Sequence, residues 1–230
     1  MKNETLNLNT SRGATTAVVA RPDEDSTAAV ILIHEWWGIN DHIRDLAGRY
    51  AQEGYICVAP DLFRGIVAKD SEEAARLMHN LDTVDGLEII SEAIVKTRSA
   101  FGAQNTGITG YCMGGTFALR AACEISALAI AAPFYGDIPE ENVLAKLKVP
   151  TIFFAGTRDN WITPEKVETL KKAARDYNLP VEVVSYDADH AFFNDTRPEV
   201  YDANAARDAW QRVLVHFRKY LGEAARPTRA

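Results

Sequence analysis

The sequence predicts an α/β fold: a mostly parallel, doubly wound sheet of about eight strands with an antiparallel N-terminal hairpin. Three observations predict it. Short apolar, β-branched runs alternate with longer amphipathic segments along the whole chain, the pattern of parallel strands joined by crossover helices. The composition, 47% hydrophobic and 25% charged over 230 residues, suits a globular chain with a sizeable core. No repeat, low-complexity tract or interdomain linker interrupts it, so a single domain over residues 1–230 is expected.

The elements follow in order. Glu4–Leu8 and Thr15–Ala20 alternate in polarity across the turn-prone Asn9–Ala14, which predicts the edge hairpin. Ala28–Ile33 is almost wholly apolar and suits a strand buried on both faces. Asp41 is placed to cap a helix through Glu53, ended by Gly54. Tyr55–Ala59 reads as a strand stopped at Pro60. Asp61–Leu81 breaks the rhythm with a loop and a short helix over Ser71–Leu81, and a long helix follows from Val84 to Ala100. Strands are expected at Thr106–Tyr111, Leu128–Ala131, Thr151–Ala155 and Val181–Tyr186. Helices are expected at Gly115–Cys123, Pro164–Tyr177 and Tyr201–Leu221.

Charge and cysteine usage narrow the function classes. A net charge of −7 gives a field that repels phosphate backbones and anionic headgroups, so nucleic acid and membrane are poor partners. No stretch approaches the roughly 18 apolar residues of a spanning helix. The opening MKNETLNLNTSRG lacks the apolar core of a secretory signal. Cys57, Cys112 and Cys123 are an odd number and form no Cys/His cluster, which points to reduced thiols in the cytoplasm. Nothing in the sequence sets the oligomeric state.

Gly110-Tyr111-Cys112-Met113-Gly114 has the pattern glycine–x–nucleophile–x–glycine between a strand and a helix, the mark of an α/β-hydrolase fold. Side chains two positions either side of the nucleophile would collide with neighbouring elements, so glycine fits both. The helix N-terminus favours a thiolate and an oxyanion. The competing reading is a small buried cysteine in a glycine-rich turn. Cys57, inside an apolar strand, and Cys123, near a helix end, read as core.

A cysteine nucleophile needs a base and a group to orient that base. This fold orders them nucleophile, acid, histidine. Asp159 follows the strand Thr151–Ala155, and His190 follows Val181–Tyr186, both at carboxyl ends where such sheets gather catalytic groups. Alone, Asp159 reads equally as a turn residue and His190 as a surface imidazole. Asp187 and Asp189 compete as the acid but lie too near His190 in sequence. Glu35 follows the buried strand Ala28–Ile33, where backbone N–H groups of Trp36 and Met113 would form the oxyanion hole. A carboxylate there has a purpose beside a thiol: it can hold Cys112 protonated or accept its proton. Trp37, Tyr135, Trp161 and Phe192 are aromatic candidates for the pocket wall, with core packing as the alternative.

The sequence resembles the dienelactone hydrolase family. The residues that carry the resemblance are His34-Glu35-Trp36-Trp37-Gly38, Asp41–Asp45, Ala59–Phe63, Gly110–Gly115, Asp159 and His190–Phe193, and it covers nearly the whole chain. It implies an α/β-hydrolase fold, a Cys112-His190-Asp159 triad with Glu35 as the thiol's partner, and no metal or organic cofactor. It also implies a small-molecule ester or lactone substrate. The chain departs from the family where its best-studied members hold a substrate carboxylate with arginines: here those positions are Asn194 and, by rough matching, Ser71. Arg64, Lys69, Arg76 and Arg197 are the cations available to substitute. The expected function is a carboxymethylenebutenolidase-like hydrolase working through a thioester. The alternatives are a broad carboxylesterase or thioesterase inactive on dienelactones, and a noncatalytic ligand-binding or redox-responsive protein.

Overall fold

The computed structural model describes residues 1–222, so the last eight residues of the expected 1–230 domain lie outside the described residues. One eight-stranded sheet organises the chain, with the spatial order β1-β2-β4-β3-β5-β6-β7-β8. Its strands are β1 (Lys2–Thr10), β2 (Gly13–Arg21), β3 (Ala28–Ile33), β4 (Ile56–Pro60), β5 (Asn105–Tyr111), β6 (Ile130–Phe134), β7 (Thr151–Gly156) and β8 (Val181–Tyr186). The helices are α1 (Asp41–Gln52), α2 (Ser71–Asn80), α3 (Thr83–Phe101), α4 (Met113–Glu124), α5 (Glu141–Leu144), α6 (Pro164–Asp176) and α7 (Ala203–Leu221). Strand β2 runs antiparallel to both β1 and β4, and every pair from β4 to β8 is parallel. This is the mostly parallel α/β-hydrolase sheet with an antiparallel start that the sequence predicts.

Alternation along the buried strands assigns the helices to faces. Ala29, Ile31 and Ile33 of β3, with Phe153 and Ala155 of β7, pack with α3, α4, α5 and α6. Val30, Leu32, Ile152 and Phe154 point the other way, onto α1 and α7. A strand covered on both sides has no polar face to show, which is why Ala28–Ile33 reads as one apolar run.

Several boundaries differ from the expectation. The hairpin turn is tight, because Thr10 Oγ1 accepts the Arg12 N–H and donates to Gly13 O, closing it over two residues. Asn40, not Asp41, caps α1: its Oδ1 accepts the Ile43 N–H at 3.1 Å. Strand β6 starts later than Leu128 and runs through Pro133, with Ala131 paired to Thr151 and Phe134 to Phe154 on either side of it. Helix α4 begins at Met113, directly after the nucleophile candidate, and the one-turn α5 has no counterpart in the sequence reading.

Candidate active site

The strand order reverses between β3 and β5, with β4 beyond one and β6 beyond the other. A crevice opens at the carboxyl ends of such a pair. The register sets Ile33 beside Gly110, so Glu35, two residues past β3, emerges next to Cys112, one past β5. Tyr135 follows β6, Asp159 lies in the turn after β7, and His190 lies in the turn after β8. One end of the sheet therefore receives every proposed chemical group.

Cys112 sits in a sharp turn with φ 56° and ψ −117°, where an L-residue is strained. Its neighbours make the turn possible. A Cβ on Gly110 would lie 2.2 Å from Gly114 O, and one on Gly114 would lie 2.2 Å from Ile33 O. All three cysteines are free and buried, but only Cys112 lines the cavity described below. Burial pushes its thiol well above the usual range, and the Glu35 charge adds to the rise; the Met113 N–H pulls the other way. Cys112 therefore rests as a thiol.

His190 Nδ1 and Asp159 Oδ2 are 2.7 Å apart. The other Asp159 oxygen accepts the Trp161 and Ile162 N–H groups at 2.7 and 2.9 Å, which fixes the carboxylate. Burial raises the Asp159 carboxyl, but the His190 hydrogen bond and charge with these amides outweigh it and hold the carboxyl below its ordinary range. His190 Nε2 has no hydrogen-bond partner among the described residues, and the ring lines the cavity. Asp187 and Asp189 instead pair with Arg158, at 2.7 and 3.1 Å.

Glu35 is 3% exposed, and burial pushes its carboxyl up to about 7 against the pull of His190, Asn194 and Arg197. Asn194 Nδ2 donates to Glu35 Oε2 at 2.8 Å. No hydrogen bond joins Glu35 or His190 to the Cys112 sulfur among the described residues. The backbone after β3 is pinned by His34. Its Nε2 accepts the Leu62 N–H at 3.1 Å, so the proton sits on Nδ1 and is donated to Glu35 O at 2.6 Å. The N–H of Trp36 follows that pinned carbonyl.

The cavity has a volume of about 260 Å³, and its walls include Met78, Leu81, Phe117, Tyr135, Trp161 and Ile162 around Cys112, Met113 and His190. Tyr135 and Trp161 are both in the cavity wall. Trp37 packs edge-on against Trp36, at 5.1 Å, and is not in the wall. Phe192 is buried behind Tyr135, with rings 5.3 Å apart. Ser71 is exposed in the first turn of α2, while Met78, two turns on, reaches the cavity. Met78, Leu81 and Phe117 escape sequence reading because nothing local distinguishes them from core. Asn194 is buried against Glu35 rather than the cavity, which also closes the glycosylation-like Asn194-Asp195-Thr196 to a sugar. Arg64 binds Asp85, Arg76 binds Glu73 and Arg197 binds Glu199; neither they nor Lys69 line the cavity. Among the described residues no three His, Cys, Asp or Glu side chains gather as a metal site requires, and no helix is long and apolar enough to cross a membrane.

This sheet and site define a carboxylic ester hydrolase of the α/β-hydrolase fold. The chain belongs to the dienelactone hydrolase family, whose model matches residues 15–221. It is 33% identical to protein usf of Aquifex pyrophilus over 207 residues, 84% of this chain and 88% of that protein. It is also 33% identical to an Escherichia coli K12 protein provisionally named a carboxymethylenebutenolidase, over 89% of this chain and 82% of that one. A Klebsiella pneumoniae crystal structure, provisionally named a dienelactone hydrolase, superposes with a TM-score of 0.87 at 29% identity, covering 95% of this chain and 99% of that one.

Proposed function

We propose that Cys112, His190 and Asp159 form a triad that opens esters or lactones through a thioester, with carboxymethylenebutenolidase-like chemistry. One observation carries this reading: a strained cysteine at a strand-to-helix turn shares a cavity with an imidazole already oriented by a buried carboxylate. Glu35 takes the thiol proton, and the thiolate attacks the carbonyl carbon. The Met113 and Trp36 N–H groups stabilise the oxyanion. The alkoxide or enolate leaves, and His190 relays to it a proton from the incoming water. The resulting hydroxide attacks the thioester, the carboxylic acid departs, and the thiolate recovers its proton from Glu35.

The absence of any Lys or Arg from the cavity wall, among the described residues, favours neutral esters over carboxylate-bearing dienelactones. That supports the broad carboxylesterase or thioesterase as the second reading. The three free cysteines are the ground for placing the enzyme in the cytoplasm.

The test is hydrolysis of p-nitrophenyl acetate and a dienelactone by wild type and Cys112→Ser, with mass spectrometry for an acyl group on Cys112. The expected outcome is turnover by wild type and not by Cys112→Ser, with the adduct trapped at Cys112; turnover of the simple ester without the dienelactone would favour the second reading. Full activity in Cys112→Ala would remove the nucleophile assignment. Binding without any adduct or turnover would favour the noncatalytic alternative.

A further inference from the structure

A buried carboxylate needs hydrogen-bond donors, and what kind of donor it receives decides how readily it gives up or takes a proton. Among the described residues the one hydrogen-bond donor to the Glu35 side chain is Asn194, at 2.8 Å. Asn194 is 2% exposed, and its amide is oriented by the groups behind it. Asn194 Oδ1 accepts both the Thr196 N–H, at 3.0 Å, and the Thr196 hydroxyl, at 2.6 Å. With the oxygen so occupied, only the NH2 end can face Glu35. The backbone is held as well. Asn194 N donates to Ala191 O at 2.9 Å and Arg197 N donates to Asn194 O at 3.1 Å, in a short loop that starts from His190. Every polar group of Asn194 is therefore spent inside the protein, and none is offered to the cavity.

Resting on the reading of Glu35 as the thiol's partner, we propose that Asn194 is a positioning residue: it holds Glu35 toward Cys112 through a neutral amide, so that Glu35 can both take and return the thiol proton. A cation in its place would favour the ionised carboxylate and oppose protonation; an apolar residue would leave a buried carboxylate unpaired. The neutral donor gives direction without fixing the charge. The other groups that face Glu35 are His190 and Arg197, which favour the carboxylate, and the Cys112 thiol and Tyr135 hydroxyl, whose ionisation it opposes. Arg197 is tied to Glu199 on the surface, at 2.8 Å, which leaves Asn194 as the direct contact. Burial is the dominant influence on Glu35, and its carboxyl stands at about 7, where both forms are present near neutrality.

The experiment measures kcat/KM for p-nitrophenyl acetate from pH 5 to 9, and the rate of Cys112 alkylation by iodoacetamide over the same range, in wild type, Asn194→Asp, Asn194→Leu and Glu35→Gln. Glu35→Gln is expected to lose most of the hydrolysis and to leave the alkylation profile without an acid limb. Asn194→Asp adds a like charge and Asn194→Leu removes the donor, so both should move that limb up by about one pH unit. Their loss should be roughly tenfold below the limb and shrink as pH rises. A merely structural Asn194 would lower the rate equally at all pH values, and that result, or an unmoved limb in both variants, overturns the proposal. If either variant fails to fold, the other decides. No hydrolysis by wild type, or full hydrolysis by Cys112→Ala, would instead overturn the underlying reading, while the alkylation profile still reports on Asn194 without turnover.

Discussion

The Tyr135 hydroxyl is buried, closes no hydrogen bond of good geometry among the described residues and has only the Phe193 backbone N–H beside it, on a residue with φ of 36° and 1% exposure. An unpaired buried hydroxyl costs about 1–3 kcal/mol, and left-handed backbone on a bulky residue adds a cost of similar order. The ring lines the cavity and lies 5.1 Å from His190, between centroids, while the hydroxyl itself is closed off beside the Phe193 backbone, so its expected role is to set where the ring stands against substrate. Tyr135→Phe removes the poorly paired oxygen with its contact to the Phe193 backbone and keeps the ring. The expected outcome is a melting temperature equal to wild type or a few degrees higher, with kcat/KM for p-nitrophenyl acetate lowered about tenfold. A lower melting temperature with full activity would show that the hydroxyl serves the fold instead.

At the scale of elements, the strands and most helices are legible because their burial is one-dimensional: an apolar run or an amphipathic repeat states its own environment. The order of the proposed triad is legible for the same reason, since Cys112, Asp159 and His190 each follow a recognisable strand. What is not legible is where separate elements converge. Ser71 and Met78 lie on the same helix, and only the packing of α2 decides that Met78 meets the cavity. The resemblance implies a substrate contact at Asn194, yet the turn at Ala191, with φ 63°, folds it back onto Glu35. Gly86 shows the same limit. Inside a helix it costs about 1 kcal/mol against alanine, so the local rule says Gly86→Ala stabilises. Here an added Cβ would sit 2.3 Å from the Phe117 ring, a cavity wall. Phe117 must then shift. Gly86→Ala is expected to lower the melting temperature by several degrees and to raise KM most for esters with large acyl groups. A thermal denaturation curve with a chain-length series of p-nitrophenyl esters checks both; a higher melting temperature would mean Phe117 yields freely.

For the whole molecule, opposing titrations set the response to acid. Burial lowers the imidazoles of His34 beside β3, His42 in α1 and His216 in α7, so below the ordinary value of 6.5 the unfolded chain binds these protons first. Stability linked to these groups is therefore present above pH 6.5 and lost as pH falls from there toward their folded values. His34 makes the cost concrete, because protonating Nε2 breaks its bond from the Leu62 N–H. Glu35 acts in the reverse sense. Its folded carboxyl stands at about 7 against 4.5 for the ordinary group, so between those values the folded chain holds a proton that the unfolded chain has lost. Its contribution therefore improves as pH falls from 7 toward 4.5, and above 7 its buried charge costs about 3 kcal/mol. Glu35→Gln should remove that counterweight. The variant is expected to be more stable than wild type at pH 8, by up to about 3 kcal/mol, and to lose stability more steeply between pH 7 and 5.5. Urea denaturation of both proteins across that range measures the two slopes directly. Parallel slopes would mean that Glu35 does not titrate in this window, and the exchange of a proton with Cys112 near neutrality would lose its physical basis.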